Sequence, residues 1–388
     1  MASKTQSPRA MIERLIGFDT TSVKSNLNLI DDAADYLSGL GIKVDLIHNA
    51  DRTKANLFAT IGPDAPGGVA LSGHTDVVPV EGQPWTSDPF TVVERDGKLF
   101  GRGTSDMKSF IAIALALVPE MKAARLKRPI HLALSYDEEI GCLGAPVMIA
   151  EIGKRLPRPG MVVIGEPTEM KVANAHKGSF GYRTTVTGLE AHSSATHKGV
   201  SAVIYAAEII HFINELAAEF RARAKPGTEF DPPYTTLSVG VIEGGTAINI
   251  IPRHCCFHWD IRLLPGAVLE EVEARVRGFI DQSILPKMRA VSPEANVVTE
   301  SIFGVPGLRP EPGSPAEALC LRLTGANGTT VISFGTEGGQ FQSAGIPTVI
   351  CGPGRILEAH KPNEYIALDQ IEAAITFQRR LIQWATEN

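Results

Sequence analysis

The chain has 388 residues, and at roughly 150 residues per domain this length predicts two domains or one large elaborated domain. Hydrophobic residues make up 44% of the chain and charged residues 21%, a composition typical of globular proteins that excludes disorder over most of the length. With 37 Lys and Arg against 43 Asp and Glu, the formal net charge is −6. The chain therefore lacks the overall basic field that binds nucleic acid or an anionic membrane surface.

The sequence predicts a cytoplasmic protein with reduced thiols. Arg9, Glu13 and Arg14 interrupt the early apolar stretch, which does not resemble the apolar region of a signal peptide. No uninterrupted apolar run approaches the roughly 18 residues expected of a membrane-spanning helix. The 5 cysteines are odd in number and lie mostly in apolar runs, as buried reduced thiols do.

The first part of the chain alternates between helical and strand periodicity, which predicts an α/β fold with a mixed, mainly parallel sheet and flanking helices. Gly41 ends the second predicted helix, Asp96-Gly97 turns a predicted hairpin, and Pro119 is expected to kink the third helix. The predicted elements in chain order are helices over 8–17 and 27–40, strands over 43–48, 56–61 and 68–73, a hairpin over 91–100, a helix over 107–124, a strand over 131–136, a helix after Gly141 and a strand over 161–165.

From about Gly178 the predicted order becomes strand, helix, strand, strand, helix, strand, which is the ferredoxin-like βαββαβ unit. The later helices and strand restore the earlier α/β pattern. We therefore expect a discontinuous metal-binding catalytic domain over 1–177 and 291–388, with a ferredoxin-like domain inserted at 178–290. The predicted elements are strands over 180–188, 235–243, 254–264 and 295–301, helices over 199–222 and 267–284, and then a helix over 316–323, a strand over 348–351 and a helix over 368–385.

Acidic and imidazole side chains follow several predicted strands of the first and last parts. These residues are His74 and Asp76, the run Asp137 to Glu139, Glu166 and His360. Asp106 lies in a glycine-rich turn at the start of the helix predicted over 107–124. Because open α/β sheets build their sites at the carboxyl ends of strands, we expect these side chains to converge.

Several converging carboxylates repel one another unless cations neutralise them. Two divalent ions would supply four positive charges, and imidazole with carboxylate is the ligand set of paired-metal hydrolases. Each motif alone has a simpler explanation, such as a hydrogen-bonded turn, a solvated helix N-terminus or a surface histidine. Their joint placement favours a two-metal hydrolase built on the carboxylates Asp76, Asp106, Glu138, Glu139 and Glu166.

These residues resemble the M20 family of metal-dependent amidohydrolases and peptidases across nearly the whole chain. Within that family, residues 233–266 and 175–178 are most similar to the acetylornithine deacetylases of arginine biosynthesis. The matching motifs are SGHTDVVP at 72–79, GRGTSDMK at 101–108, YDEEIG at 136–141, GEPT at 165–168 and AHKPNEY at 359–365.

The resemblance implies two zinc sites, in which Co²⁺ can substitute. His74, Asp106 and Glu166 would hold one ion, and Asp106, Glu139 and His360 the other, with Asp106 as the bridge. Asp76 would accept the second N–H of the His74 imidazole. Glu138 would be the general base for a metal-bound water that attacks the amide and releases acetate and L-ornithine.

The resemblance also implies that the inserted domain forms a homodimer. His192 of that domain would stabilise the oxyanion in the partner's site, although an ordinary loop histidine is the alternative. Arg262 and Asn249 match family positions near the substrate, and we hypothesise that Arg262 binds an α-carboxylate, with a surface ion pair as the alternative. Thr336, next to Glu337, matches a family loop that faces the site.

Other functions share the same metal constellation. They include desuccinylation of succinyl-diaminopimelate, deacylation of another N-acyl amino acid, and hydrolysis of dipeptides. A non-catalytic dimer that binds a small amino-acid derivative is an alternative from a different class. In each case the expected partner is a small molecule, with no nucleic acid and no membrane.

Overall fold

A computed structural model describes residues 6–224 and 227–387. The described residues form two compact units. The first lies within Met1–Ala175, Leu308–Val331 and Thr336–Asn388, and the second is formed by His176–Gly307 and Ile332–Gly335.

Both units contain helices and strands, numbered here in chain order. The strands are β1 (Val44–His48), β2 (Ala55–Ile61), β3 (Val69–His74), β4 (Val93–Arg95), β5 (Lys98–Phe100), β6 (Ile130–Ser135), β7 (Met161–Pro167), β8 (Ala173–His176), β9 (Gly178–Thr187), β10 (Ala191–His192), β11 (Thr236–Gly244), β12 (Ile250–Ile251), β13 (His254–Leu263), β14 (Asn296–Val305), β15 (Thr330–Ile332), β16 (Thr348–Gly352) and β17 (Tyr365–Ala367). The α-helices are α1 (Pro8–Ile16), α2 (Leu27–Gly39), α3 (Lys108–Ala116), α4 (Val118–Ala123), α5 (Gly144–Ile149), α6 (Ala202–Ala222), α7 (Leu269–Phe279), α8 (Leu285–Arg289), α9 (Pro315–Thr324), α10 (Gly338–Ser343) and α11 (Leu368–Thr386).

The large sheet has eight strands in the order β1-β2-β6-β3-β7-β16-β8-β15. The four strands β6, β3, β7 and β16 pair in parallel, whereas β2 joins β6 and β8 joins β16 in antiparallel fashion. Every residue of β3, β6 and β16 is buried, as expected of parallel strands covered on both faces. The prediction of a mixed α/β fold with a large, mainly parallel sheet is confirmed.

The helices of the first unit bury one apolar face or, in α3, every residue. At α1, the Ser7 side chain accepts a hydrogen bond from the Ala10 amide, and Pro8 occupies the first helical turn, where its missing N–H has no cost. The helix predicted over 107–124 is divided into α3 and α4, with Pro119 in the first turn of α4. The elements β8, β15, β17 and α10 were not predicted, because they are too short to show a clear hydrophobic periodicity.

The second unit has a four-stranded sheet in the order β11-β13-β9-β14, in which all neighbours are antiparallel. Its core includes Ile209 of α6, Phe257 of β13 and Val276 of α7. The predicted boundary between 290 and 291 is too early, since β14 pairs with β9 along its length. No helix in the described ranges 6–224 and 227–387 has the length and apolar character needed to cross a bilayer.

Candidate active site

The carboxyl ends of four adjacent parallel strands carry the predicted ligands. His74 is the last residue of β3, and Glu166 lies near the end of β7. Glu138 and Glu139 follow β6, and His360 lies in the segment after β16. Because β6, β3, β7 and β16 are neighbours in this order, these side chains are brought to one edge of the sheet.

Asp106 lies between the two imidazoles. Its Oδ1 is 3.0 Å from Nε2 of His74, and its Oδ2 is 3.3 Å from Nε2 of His360. The opposite oxygens of one carboxylate thus face two different histidines. This is the arrangement that a carboxylate needs to bridge two cations.

The remaining carboxylates lie beside the same imidazoles. Oε2 of Glu139 is 3.0 Å from Nε2 of His360, and Oε1 of Glu166 is 3.7 Å from Nε2 of His74. Two groups of three residues each place their potential ligand atoms within 4.8 Å of one another. One group is His74, Asp106 and Glu139, and the other is His74, Glu138 and Glu166. The donor set is therefore dense enough to hold divalent cations.

The electrostatics of the cluster also suit cations. Desolvation and the charge of neighbouring carboxylates raise the pKa of Glu138 and of Glu166 well above the usual range, and raise that of Glu139 to about 7. Burial opposes ionisation of Asp106, but the hydrogen bonds to His360 and His74 lower its pKa. For His360, the hydrogen bonds to Asp106 and Glu139 raise the pKa to about 10. Carboxylates that repel one another in this way are stabilised by positive charge.

The structure corrects the predicted role of Asp76. Nδ1 of His74 is 2.9 Å from the backbone oxygen of Asp76, whereas the carboxylate Oδ1 is 3.6 Å away. The backbone carbonyl, not the side chain, is thus the acceptor that fixes the orientation of the His74 ring. A carbonyl can only accept, so Nδ1 donates to it, and Nε2 is the ring nitrogen that faces Asp106.

The carboxylate of Asp76 instead holds the turn that carries the predicted base. It accepts the backbone N–H of Glu138 at 3.1 Å and of Glu139 at 3.2 Å, and the Ser22 hydroxyl at 2.7 Å. The Cys142 thiol donates to Oε1 of Glu138 at 3.3 Å. These contacts fix the backbone and the carboxylate of Glu138 next to the candidate ligands.

Thr336 and Glu337 are buried in the first unit. The Thr336 hydroxyl accepts the backbone N–H of Gly338 at 3.0 Å, at the start of α10. Oε2 of Glu337 accepts a hydrogen bond from the Ser72 hydroxyl at 3.3 Å, and burial raises the pKa of Glu337 to about 7. The hydroxyl of Thr336 is thus occupied by a helix start, so its assignment as a substrate ligand stays a prediction.

His192, Asn249 and Arg262 belong to the second unit. Nδ1 of the exposed His192 imidazole accepts the backbone N–H of Ser194 at 3.1 Å, so Nε2 is the ring nitrogen that can donate. The backbone oxygen of Asn249 accepts from the amide of Ser193 at 3.0 Å. Nε of Arg262 donates to Asp260 at 2.9 Å, which is the ion pair considered as the alternative to carboxylate binding.

Two residues that organise the site were not predicted from the sequence. Arg102 and Glu364 form an ion pair of 2.7 Å in which each side chain is 1% exposed. Glu364 also accepts the backbone N–H of Asp106 at 3.0 Å. Both residues lie inside motifs that carry candidate ligands, GRGTSDMK and AHKPNEY, and this position is the signal that the sequence offered.

Comparison with known proteins assigns the family. The model of peptidase family M20/M25/M40 matches residues 70–384, which is most of the chain. The chain belongs to this family. Together with the donor set at the sheet edge, this membership indicates a metal-dependent hydrolase.

Solved structures of low sequence identity share the fold. A metallo-carboxypeptidase of the M20 family from Sulfolobus solfataricus matches with a TM-score of 0.76 and 18% identity, over 98% of this chain and 99% of that one. Human carnosine dipeptidase 1 matches with a TM-score of 0.71 and 20% identity, over 98% and 97%. A dinuclear metal-binding peptidase of the family from Bacillus subtilis matches with a TM-score of 0.64 and 16% identity, over 97% and 99%.

Proposed function

We propose that the chain is a dinuclear zinc amidohydrolase that converts N-acetyl-L-ornithine into L-ornithine and acetate. The hydrolytic assignment rests on the geometry of Asp106, whose two carboxylate oxygens face His74 and His360. The choice of N-acetyl-L-ornithine is supported by the resemblance of residues 233–266 and 175–178 to acetylornithine deacetylases.

In this proposal His74, Asp106 and Glu166 hold one ion, and Asp106, Glu139 and His360 hold the other. Dinuclear binding is described for the Bacillus subtilis relative, and the same number of ions suits the two imidazoles present here. When bound, such ions lower the pKa of water and polarise a carbonyl oxygen.

Glu138 is the proposed general base. Desolvation keeps its pKa well above the usual carboxyl range, so that the carboxylate has a raised affinity for a proton. Its backbone is fixed by the bond from its amide to Asp76, and Oε1 accepts from the Cys142 thiol at 3.3 Å. In this proposal the Glu138 carboxylate takes a proton from the attacking water and passes it to the leaving amine.

The second unit is proposed to be the ferredoxin-like insertion that forms a homodimer. Among the described residues, β11 is an edge strand of the four-stranded sheet and exposes Val241 and Ile242, and Ile248 in the following turn is 101% exposed. An exposed apolar edge strand is a template for pairing with a second chain. In the dimer, the N–H of His192 would stabilise the oxyanion in the partner's site, and Arg262 and Asn249 would contact the substrate.

The test is release of L-ornithine from N-acetyl-L-ornithine by the zinc-loaded chain, with a chelator-treated sample as the control. Zinc-dependent turnover would support the proposal. No turnover by protein that demonstrably holds two zinc ions would overturn the substrate assignment and leave the metal site standing. Succinyl-diaminopimelate and dipeptides, assayed in parallel, would then identify the activity, since carboxypeptidase and dipeptidase relatives share the fold.

The role of Arg262 is tested separately by Arg262→Ala. If its guanidinium binds the α-carboxylate of the substrate, KM rises while the bound metal content is unchanged. If it forms only the ion pair with Asp260, the kinetics of Arg262→Ala equal those of the wild type.

A further inference from the structure

A buried ion pair joins the two loops that carry Asp106 and His360. Nη1 of Arg102 donates to Oε2 of Glu364 at 2.7 Å, and both side chains are 1% exposed. Arg102 lies four residues before Asp106, and Glu364 lies four residues after His360. We call this pair the Arg102–Glu364 clamp.

Glu364 binds the backbone of the Asp106 loop directly. Its Oε1 accepts the backbone N–H of Ser105 at 2.8 Å and of Asp106 at 3.0 Å. The N–H of Gly103 lies 3.1 Å from both carboxylate oxygens. Three backbone donors of one turn thus converge on a single carboxylate, and one of them belongs to the proposed bridging ligand.

Arg102 connects the same carboxylate to the backbone of His360 through Gln83. Nη2 of Arg102 donates to Oε1 of Gln83 at 2.7 Å, and Nε2 of Gln83 donates to the backbone oxygen of His360 at 3.1 Å. Cζ of Arg102 lies over the Trp85 ring, 5.2 Å from the ring centroid. A continuous chain of hydrogen bonds therefore leads from the amide of Asp106 to the carbonyl of His360.

A buried ion pair is weak evidence for a role in stability, because well-packed apolar residues often stabilise a protein as much. A charged pair has a distinct advantage where geometry must be fixed, since its hydrogen bonds are directional. Here the hydrogen bonds of the clamp connect two loops that carry candidate metal ligands. Beyond the ion pair itself, their partners are backbone groups and Gln83. The arrangement thus points to a positioning role.

We propose that Arg102, Glu364 and Gln83 are positioning residues that hold Asp106 and His360 at the spacing required to share a pair of divalent cations. This inference rests on the proposed function, because it assumes that Asp106 and His360 are ligands. Loss of the clamp leaves the ligands present but lets the two loops move relative to each other. The affinity for the ion that contacts both Asp106 and His360 should then fall.

The experiment measures the number and affinity of bound Zn²⁺ or Co²⁺ ions by competition with a chromophoric chelator. Glu364→Gln and Gln83→Met are compared with the wild type and with Glu120→Gln, a matched control in the exposed ion pair with Arg379. We expect two ions in every chain. The more weakly bound ion should be held about 10- to 100-fold less tightly in Glu364→Gln and Gln83→Met than in the wild type, and with wild-type affinity in Glu120→Gln. Circular dichroism verifies that each variant is folded.

Wild-type metal affinities in folded Glu364→Gln and folded Gln83→Met would overturn the positioning role. If Glu364→Gln does not fold, Gln83→Met decides alone, because Gln83 is only half-buried and its substitution leaves no charge unpaired. A wild-type chain that binds no divalent cation would overturn the proposed function, and the clamp proposal with it. A wild type that binds two ions but does not release ornithine refutes only the substrate assignment.

Discussion

The burial of His131 predicts that the protein loses stability in mild acid, independently of the metal site. His131 lies on β6 with no exposed surface, next to Phe58. Its Nε2 donates to the backbone oxygen of Gly67 at 3.0 Å, and Nδ1 is 3.0 Å from the Thr60 hydroxyl. The neutral imidazole is therefore fully hydrogen-bonded. A protonated ring would place an uncompensated charge in the core.

The magnitude follows from the two protonation equilibria. Burial lowers the pKa of His131 from 6.5 to about 4, although the Gly67 hydrogen bond acts in the opposite direction. The unfolded chain therefore binds a proton at higher pH than the folded chain, so stability falls as the pH drops below about 6.5 and stops falling near pH 4. Between pH 7.5 and pH 5 this histidine alone should cost about 2 kcal/mol of unfolding free energy.

The assay is equilibrium urea unfolding at pH 7.5 and pH 5, followed by circular dichroism, for the wild type and His131→Gln. Glutamine retains a donor and an acceptor but does not titrate, so the variant should lose about 2 kcal/mol less than the wild type on acidification. Thr60→Val is the control, because it keeps the buried imidazole and should keep the wild-type loss. Equal losses in the wild type and His131→Gln would refute the reasoning.

Three further predictions concern the base and the packing of glycines. Glu138→Gln should lose at least about 100-fold in kcat while binding the same number of metal ions, measured by turnover and metal analysis. Gly165→Ala should lower the unfolding free energy by about 1–3 kcal/mol in urea melts, because the added Cβ would lie 2.1 Å from the ring of Phe110. Gly278→Ala, which meets no atom within 4 Å in α7, should raise the unfolding free energy by about 0.5–1 kcal/mol.

Each of these predictions has a clear opposite result. Near-normal turnover of Glu138→Gln with both metals bound would show that another group takes the proton. A wild-type unfolding midpoint for Gly165→Ala would mean that the Phe110 ring moves without cost. A lower midpoint for Gly278→Ala would show that the unfolded-state entropy of glycine does not dominate at this position.

Local patterns were sufficient to predict most of the secondary structure and the positions of the candidate ligands along the chain. Periodicity detects the apolar runs of β3, β6 and β7, and the candidate ligands lie at or next to the ends of these runs in the sequence. The sequence thereby predicted that His74, Glu138, Glu139 and Glu166 lie at strand ends. It did not determine which strand ends are neighbours.

The tertiary structure decided the strand order and, with it, the contacts within the site. Parallel pairing joins strands that are far apart in the chain, and packing rather than local pattern selects the order β6-β3-β7-β16. The same reason explains the pairing of β14 with β9, which moves the boundary of the second unit beyond residue 290. In both cases the determining contacts are long-range hydrogen bonds that no local window contains.

The roles of individual carboxylates also depended on long-range contacts. The family resemblance implied that the Asp76 side chain pairs with His74, two residues away, whereas in the fold it accepts the amides of Glu138 and Glu139, which are more than 60 positions distant. Glu364 was recognisable only as part of a motif until folding brought it against the amide of Asp106. The sequence by itself thus determined which chemical groups are available at the site. The tertiary structure decided their partners, because a hydrogen bond forms only between groups that the fold brings close together.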